Sequence, residues 1–188
     1  FADLAELEGV DVLCVGSELL STERQGERWA DLIDRVRRRF TGRLAYSTNW
    51  DHYAAPTFWS HVDLVGINGY WRITGDVEAP MSAMVERWRE IRRQVLAFSE
   101  RVDRPVLFTE IGYPSLPWAL EDPWNYIATD QPATPAVQAR GYRAFLAAWD
   151  DLLTGGPGDS PLAGVMFYEW DLWHAGGERD TGYGVQIG

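Results

Sequence analysis

The sequence predicts an α/β chain whose parallel strands form part of a (β/α)8 barrel. Three observations lead there. Apolar runs of strand length alternate with amphipathic helical stretches, and such alternation implies right-handed crossovers and a parallel sheet. Polar and aromatic residues gather just after each of five strands, at Ser17-Glu18, Asn49-Trp50, Asn68-Tyr70, Glu110-Tyr113 and Glu169-Trp170. The active face of a barrel is built that way, whereas a doubly wound sheet uses its strand ends only near the switch point. The sequence also carries no GxGxxG fingerprint of a dinucleotide-binding sheet.

Phe1 to Leu7 reads as the closing turns of a helix, stopped near Gly9. Val10 to Gly16 follows as a buried strand, with Cys14 expected in the core. Trp29, Leu32, Ile33, Val36 and Phe40 recur at steps of three and four, so Glu27 to Phe40 is a helix, capped by Gly42. Arg43 to Thr48 is the second strand, and a short connection from Pro56 to His61 replaces a helix. Val62 to Asn68 is the third strand. Met84, Val85, Trp88, Ile91 and Val95 mark a long amphipathic helix from about Pro80 to Arg101.

Pro105 opens the fourth strand, where a missing N–H does least harm. Val106 to Phe108 then carry the apolar side chains of a strand buried on both faces. The loop from Pro114 to Ala133 is long for a compact domain, and its Trp118, Trp124 and Tyr126 favour a functional role. Thr134 and Pro135 suit an N-cap and first helical position. Tyr142, Phe145, Leu146, Trp149 and Leu153 carry that helix to Gly155, and Leu162 to Tyr168 is the fifth strand. The tail from Ala175 is glycine-rich.

Composition narrows the function classes. A net charge of −11 disfavours nucleic acid and anionic membrane as partners and fits a neutral substrate. All 17 basic residues are arginine, which excludes a Schiff-base lysine and a Walker-type phosphate lysine. A single cysteine excludes an internal disulfide. His52, His61 and His174 lack metal-ligand spacing, so no metal and no cofactor are expected. No apolar run approaches the roughly 18–20 residues of a membrane span. The chain does not begin with Met, so the lack of a leader says little about targeting. The 10 tryptophans suit both a large aromatic core and stacking on sugar rings.

Glu18 and Glu110 directly follow long buried strands and precede a break. An acid at the mouth of a buried strand is expensive to desolvate, and its reason is either an ion pair with a neighbouring arginine or catalysis. The two close the first and the fourth of the five strands. Strands three steps apart on a barrel face each other obliquely across the mouth. Two carboxyls can then lie about 5–5.5 Å apart, the separation of a retaining glycosidase. One carboxylate attacks the anomeric carbon, and the other protonates the leaving oxygen and then activates water. Around them, Asn49 and Asn68 are candidates to bond sugar hydroxyls or to serve as strand-end turns. Trp50, Trp71, Trp118, Trp124, Trp170 and Trp173 are candidate sugar platforms or ordinary packing. Glu169 is a structural partner or a hydroxyl acceptor.

Val15-Gly16-Ser17-Glu18-Leu19, Phe108-Thr109-Glu110-Ile111-Gly112-Tyr113 and Phe167-Tyr168-Glu169-Trp170 resemble glycoside hydrolase family 113. Those are retaining enzymes of the large clan A of (β/α)8-barrel glycosidases, whose known members act mainly on β-1,4-mannan. The resemblance runs over essentially the whole chain. It implies a single glycosidase-like catalytic domain over residues 1–188, spanning about strands four to eight, with the N-terminal part of the barrel missing. It implies that Glu18 is the acid/base, Glu110 the nucleophile, Tyr70 the partner that hydrogen-bonds the nucleophile, and Trp170 the aromatic floor under the sugar. One departure is Ser17, where the clan usually has Asn.

The implied function is hydrolysis of a β-linked polysaccharide or oligosaccharide, β-1,4-mannan first, by a two-Glu double displacement. The implied partner is a carbohydrate substrate, with no nucleic acid and no membrane span, and the protein is expected to be a monomer when complete. An extracellular or periplasmic location follows if the substrate is a polysaccharide. The alternatives are a non-catalytic carbohydrate-binding barrel domain and a β-glucanase or xylanase of the same clan.

Overall fold

The computed structural model describes residues 1–128, 130–154, 160–170 and 181–185. Five strands form one sheet in the order β1-β2-β3-β4-β5, so each strand lies beside its neighbour in sequence. They are β1 (Val12–Ser17), β2 (Arg43–Asn49), β3 (Leu64–Asn68), β4 (Val106–Ile111) and β5 (Leu162–Phe167). The helices are α1 (Ala2–Leu7), α2 (Gly26–Arg37), α3 (Met81–Val102) and α4 (Pro135–Thr154), and one 3₁₀ turn, Trp59–His61, stands between β2 and β3. The β1–β2 and β2–β3 pairs are parallel, with Leu13 beside Leu44 and Tyr46 beside Val65. Sequential strands that are neighbours and parallel make the α/β barrel-type sheet that the alternation predicts.

The chain folds as two compact units. The first comprises Phe1–Asn68, Val95–Thr109 and Asp159–Gly164, the second Gly69–Gln94, Glu110–Gly158 and Val165–Gly188. In the first, Tyr46 on β2 meets Trp29 edge-on at 4.9 Å and Phe58 at 5.0 Å, while Trp29 and Phe58 stack at 5.1 Å. Such aromatic pairs add about 0.5–1.5 kcal/mol each beyond the area they bury. Ala45, Leu64 and Leu107 pack together with Val12 against them on the sheet. Beneath Tyr46 lies a carboxylate. Glu23 is 2 % exposed and accepts from Tyr46 Oη at 3.0 Å and Thr48 Oγ1 at 3.2 Å.

The core of the second unit is built on Trp88, which is fully buried. Its ring meets Phe145 edge-on at 5.0 Å, and its Nε1 donates to Tyr113 Oη at 3.1 Å. Tyr113 is fixed further by Gln138, whose Nε2 donates to its carbonyl at 2.8 Å. The buried indole and phenol thus find partners, as buried polar groups must. Arg92 on α3 clamps Asp151 on α4 with two bonds of 2.6 and 2.7 Å. Within the long loop after β4, Leu116, Ala119 and Leu120 are buried, and the Ile73 amide donates to the Leu120 carbonyl at 2.8 Å.

Four expectations need correction. Cys14 is exposed: among the described residues β1 stands beside β2 at one end of the sheet order and is half-exposed along its length. The helix α2 ends at Arg37 rather than Phe40. Phe40 instead turns its ring inward across Gly42, where a Cβ would come within 2.4 Å of it. Gly42 therefore makes room for a ring and does not cap the helix. Leu32, expected on the buried face of α2, is exposed. Thr134 precedes α4 as expected, and its carbonyl accepts from Val137, but its buried hydroxyl finds no hydrogen-bond partner among the described residues.

Candidate active site

In the first unit the candidate residues stand where β1, β2 and β3 end. Between Cys14 and Ser17 the β1–β2 register shifts, so three steps on β1 match two on β2. An extra residue of this kind bends a strand and re-aims the side chains that follow. Glu18 comes next, exposed and with φ 54°, in the left-handed region. Its amide donates to the Ser47 carbonyl at 3.0 Å. Its carboxylate accepts at Oε1 from Asn68 Nδ2 at 2.6 Å. Asn68 closes β3 and is buried, whereas Asn49, its register partner on β2, is half-buried. Trp50, one residue beyond β2, is also half-buried.

In the second unit Glu110 sits near the end of β4, half-buried. Its carbonyl accepts from the Gly69 amide at 2.7 Å. Its Oε2 accepts from Tyr70 Oη at 2.5 Å. Tyr70 is 7 % exposed. Burial first, and then the bond to Glu110, push its pKa far above the ordinary tyrosine range, so it remains a neutral donor. The Tyr183 ring packs edge-on 5.9 Å from Tyr70 and 5.2 Å from Tyr168, and its hydroxyl donates to the Pro123 carbonyl at 2.5 Å. Trp71 is buried and edge-on to Trp88 at 5.9 Å.

Trp170 is 69 % exposed and lines an open apolar cavity of about 280 Å³ with Tyr142, Leu146, Phe167 and Val185. An exposed indole of that size can lie flat against a sugar ring. Glu169 is held through its backbone, its amide and carbonyl pairing with Tyr183 and Val185 at 3.3 Å each. Trp118 donates through Nε1 to the Asn125 carbonyl at 2.8 Å, while Trp124 is exposed. Trp173 and His174 lie outside the described residues. Sequence reasoning missed Ser47, Thr109, Glu23 and Tyr183. The first three are short or polar side chains with no local pattern, and Tyr183 lies in a tail that shows no periodicity.

The model of Glycoside Hydrolase Family 113 matches residues 1–179. The chain belongs to glycoside hydrolase family 113. A family 113 β-mannanase from Alicyclobacillus acidocaldarius superposes with a TM-score of 0.78 at 26% identity, covering 99% of this chain and 54% of that one. A second family 113 structure, a β-1,4-mannanase, gives 0.78 at 22% identity, with 99% and 55% covered. The chain therefore spans about half the length of these family members. Outside the family, a family 17 β-1,3-glucanosyltransferase from Rhizomucor miehei matches at TM-score 0.56 and 14% identity, over 94% of this chain and 59% of that one. That likeness shows the fold alone. No curated protein matches the sequence.

Among the described residues no helix is long and apolar enough to cross a membrane, and no group of three or more His, Cys, Asp or Glu could hold a metal ion. What this family 113 chain offers to chemistry is two strand-end carboxylates with different neighbours. An amide holds Glu18, and a neutral phenol holds Glu110.

Proposed function

We propose that the protein is a retaining β-glycoside hydrolase that acts on a β-linked polysaccharide or oligosaccharide, β-1,4-mannan first. The observation that carries this reading is the bond from the buried Tyr70 hydroxyl to Glu110 Oε2 in a family 113 chain. A donor on one oxygen orients the carboxylate for attack. In the first step Glu110 bonds to the anomeric carbon as the glycosidic C–O bond breaks, and the leaving oxygen takes the proton of Glu18. In the second, water attacks the same carbon, gives its proton to Glu18 and displaces Glu110. Trp170 supplies an apolar face for the sugar.

The test is covalent trapping in the full-length protein. A 2-deoxy-2-fluoro-β-mannosyl fluoride should leave one sugar on the peptide containing Glu110, read by mass spectrometry. Labelling of a different residue, or no labelling while the enzyme stays active on mannan, overturns the assignment. Product profiles on mannan, β-glucan and xylan decide the substrate, and hydrolysis of either of the latter two in preference to mannan would displace mannan from the proposal.

A further inference from the structure

Asn68 ends β3 with only 1 % of its surface exposed, yet it stands beside a carboxylate. Its Nδ2 donates to Glu18 Oε1 at 2.6 Å. Its Oδ1 lies 2.8 Å from Ser47 Oγ and 2.7 Å from Thr109 Oγ1, and these two hydroxyls are 2.5 Å from each other. This surrounding decides which way the amide faces. A carboxylate only accepts, so the NH2 group must face Glu18, while the hydroxyls bring the protons that the amide oxygen needs. Turned over, the amide would press oxygen against oxygen at Glu18, and the two hydroxyls would have to accept from its nitrogen instead. Ser47 also takes the Glu18 amide proton on its carbonyl at 3.0 Å. Glu18 is thus held at its backbone by β2 and at its carboxylate by β3, with Thr109 of β4 holding Asn68 in turn.

We propose that Asn68, held by Ser47 and Thr109, is a positioning residue that fixes the Glu18 carboxylate for proton transfer and does not bind sugar. With Oε1 occupied by the amide, Oε2 is the oxygen that gives its proton to the leaving group and later takes one from water. The proposal rests on the reading of Glu18 as the acid/base and deepens it. A residue this buried, with both ends of its amide engaged, has little to offer a sugar hydroxyl.

The experiment compares two aryl β-mannobiosides with the full-length protein. A 2,4-dinitrophenyl group leaves without a proton, whereas a phenyl group needs one from the acid. General acid catalysis is worth about 10²–10⁴-fold, so partial misplacement of the acid should cost a part of that. Asn68→Ala should lower kcat for the phenyl substrate by about 10- to 100-fold. The dinitrophenyl glycosylation step, read as kcat/KM, should change less than about threefold. Thr109→Val, which keeps the shape and removes one hydroxyl, should show the same selectivity in weaker form and decides the matter if Asn68→Ala does not fold. Equal losses in kcat/KM on both substrates, or a rise in KM alone, overturns the proposal. Glu18→Ala separates the two readings. If it shows the leaving-group selectivity and the Asn68 and Thr109 variants do not, only this inference fails. If Glu18→Ala itself shows no selectivity, the acid/base reading falls and takes this inference with it.

Discussion

Tyr70 and Glu110 are joined across two strand ends, the phenol just past β3 and the carboxylate on β4, with 2.5 Å between Oη and Oε2. Hydrogen bonds to charged groups contribute about 1.5–3 kcal/mol, which corresponds to roughly 10- to 100-fold in rate if the bond matters most in the transition state. Tyr70→Phe in the full-length protein should therefore keep its fold by circular dichroism and lose kcat/KM on mannan oligosaccharides by that factor. Unchanged kinetics would show that the phenol does nothing for Glu110.

Alkaline pH should unfold the protein earlier than its composition suggests. Tyr46, Tyr70, Tyr113, Tyr142 and Tyr183 all have pKa values pushed above the ordinary range, with burial the largest cause in each. Unfolded tyrosines release their protons near pH 10, while these hold theirs. The native state then binds more protons than the unfolded one. Stability is complete below about pH 10 and falls as the pH rises beyond it. The urea midpoint should hold from pH 8 to 9 and drop by pH 11, with a shallower fall in Tyr113→Phe. A flat midpoint through pH 11 would contradict the argument.

Gly16 is needed for space. A Cβ there would lie 2.9 Å from the Trp29 ring and 3.0 Å from the Tyr46 ring, both parts of the aromatic cluster of the first unit. Those rings cannot both step aside. Gly16→Ala should cost about 1–3 kcal/mol by overpacking, measured by urea denaturation. A variant as stable as the parent would mean that the cluster yields more easily than its packing implies.

Glu23 should prove structural. It accepts from two buried hydroxyls, and Glu23→Ala leaves Tyr46 and Thr48 without that acceptor. The expected loss is about 1–3 kcal/mol, and Glu23→Gln, which keeps an acceptor, should lose less. A double-mutant cycle with Tyr46→Phe should show coupling between the two side chains. Additive losses would mean that they do not interact in solution.

The strands and helices were legible because apolar spacing is a local signal. Trp88, Ile91 and Val95 are on one face of α3, and all are buried as their spacing requires. The positions of Glu18 and Glu110 at strand ends were legible for the same reason, since each interrupts an apolar run. The partners of Asn68 were not, because Ser47, Thr109 and Glu18 are 21, 41 and 50 residues away in sequence. Glu23 sits in the polar stretch from Ser21 to Arg28, where nothing shows that Tyr46 will cover it. The exposure of Cys14 and the early end of α2 depended on which strand lies beside β1 and where the Phe40 ring goes. Neither is encoded in a periodicity.

The backbone at Glu18 is strained. A glutamate at φ 54° occupies a conformation that costs an ordinary L-residue about 1–2 kcal/mol and costs glycine almost nothing. Glu18→Gly relieves that strain but leaves the buried Asn68 amide without its acceptor, so the thermal midpoint should change little. The same side chain strains its own backbone and satisfies a buried neighbour.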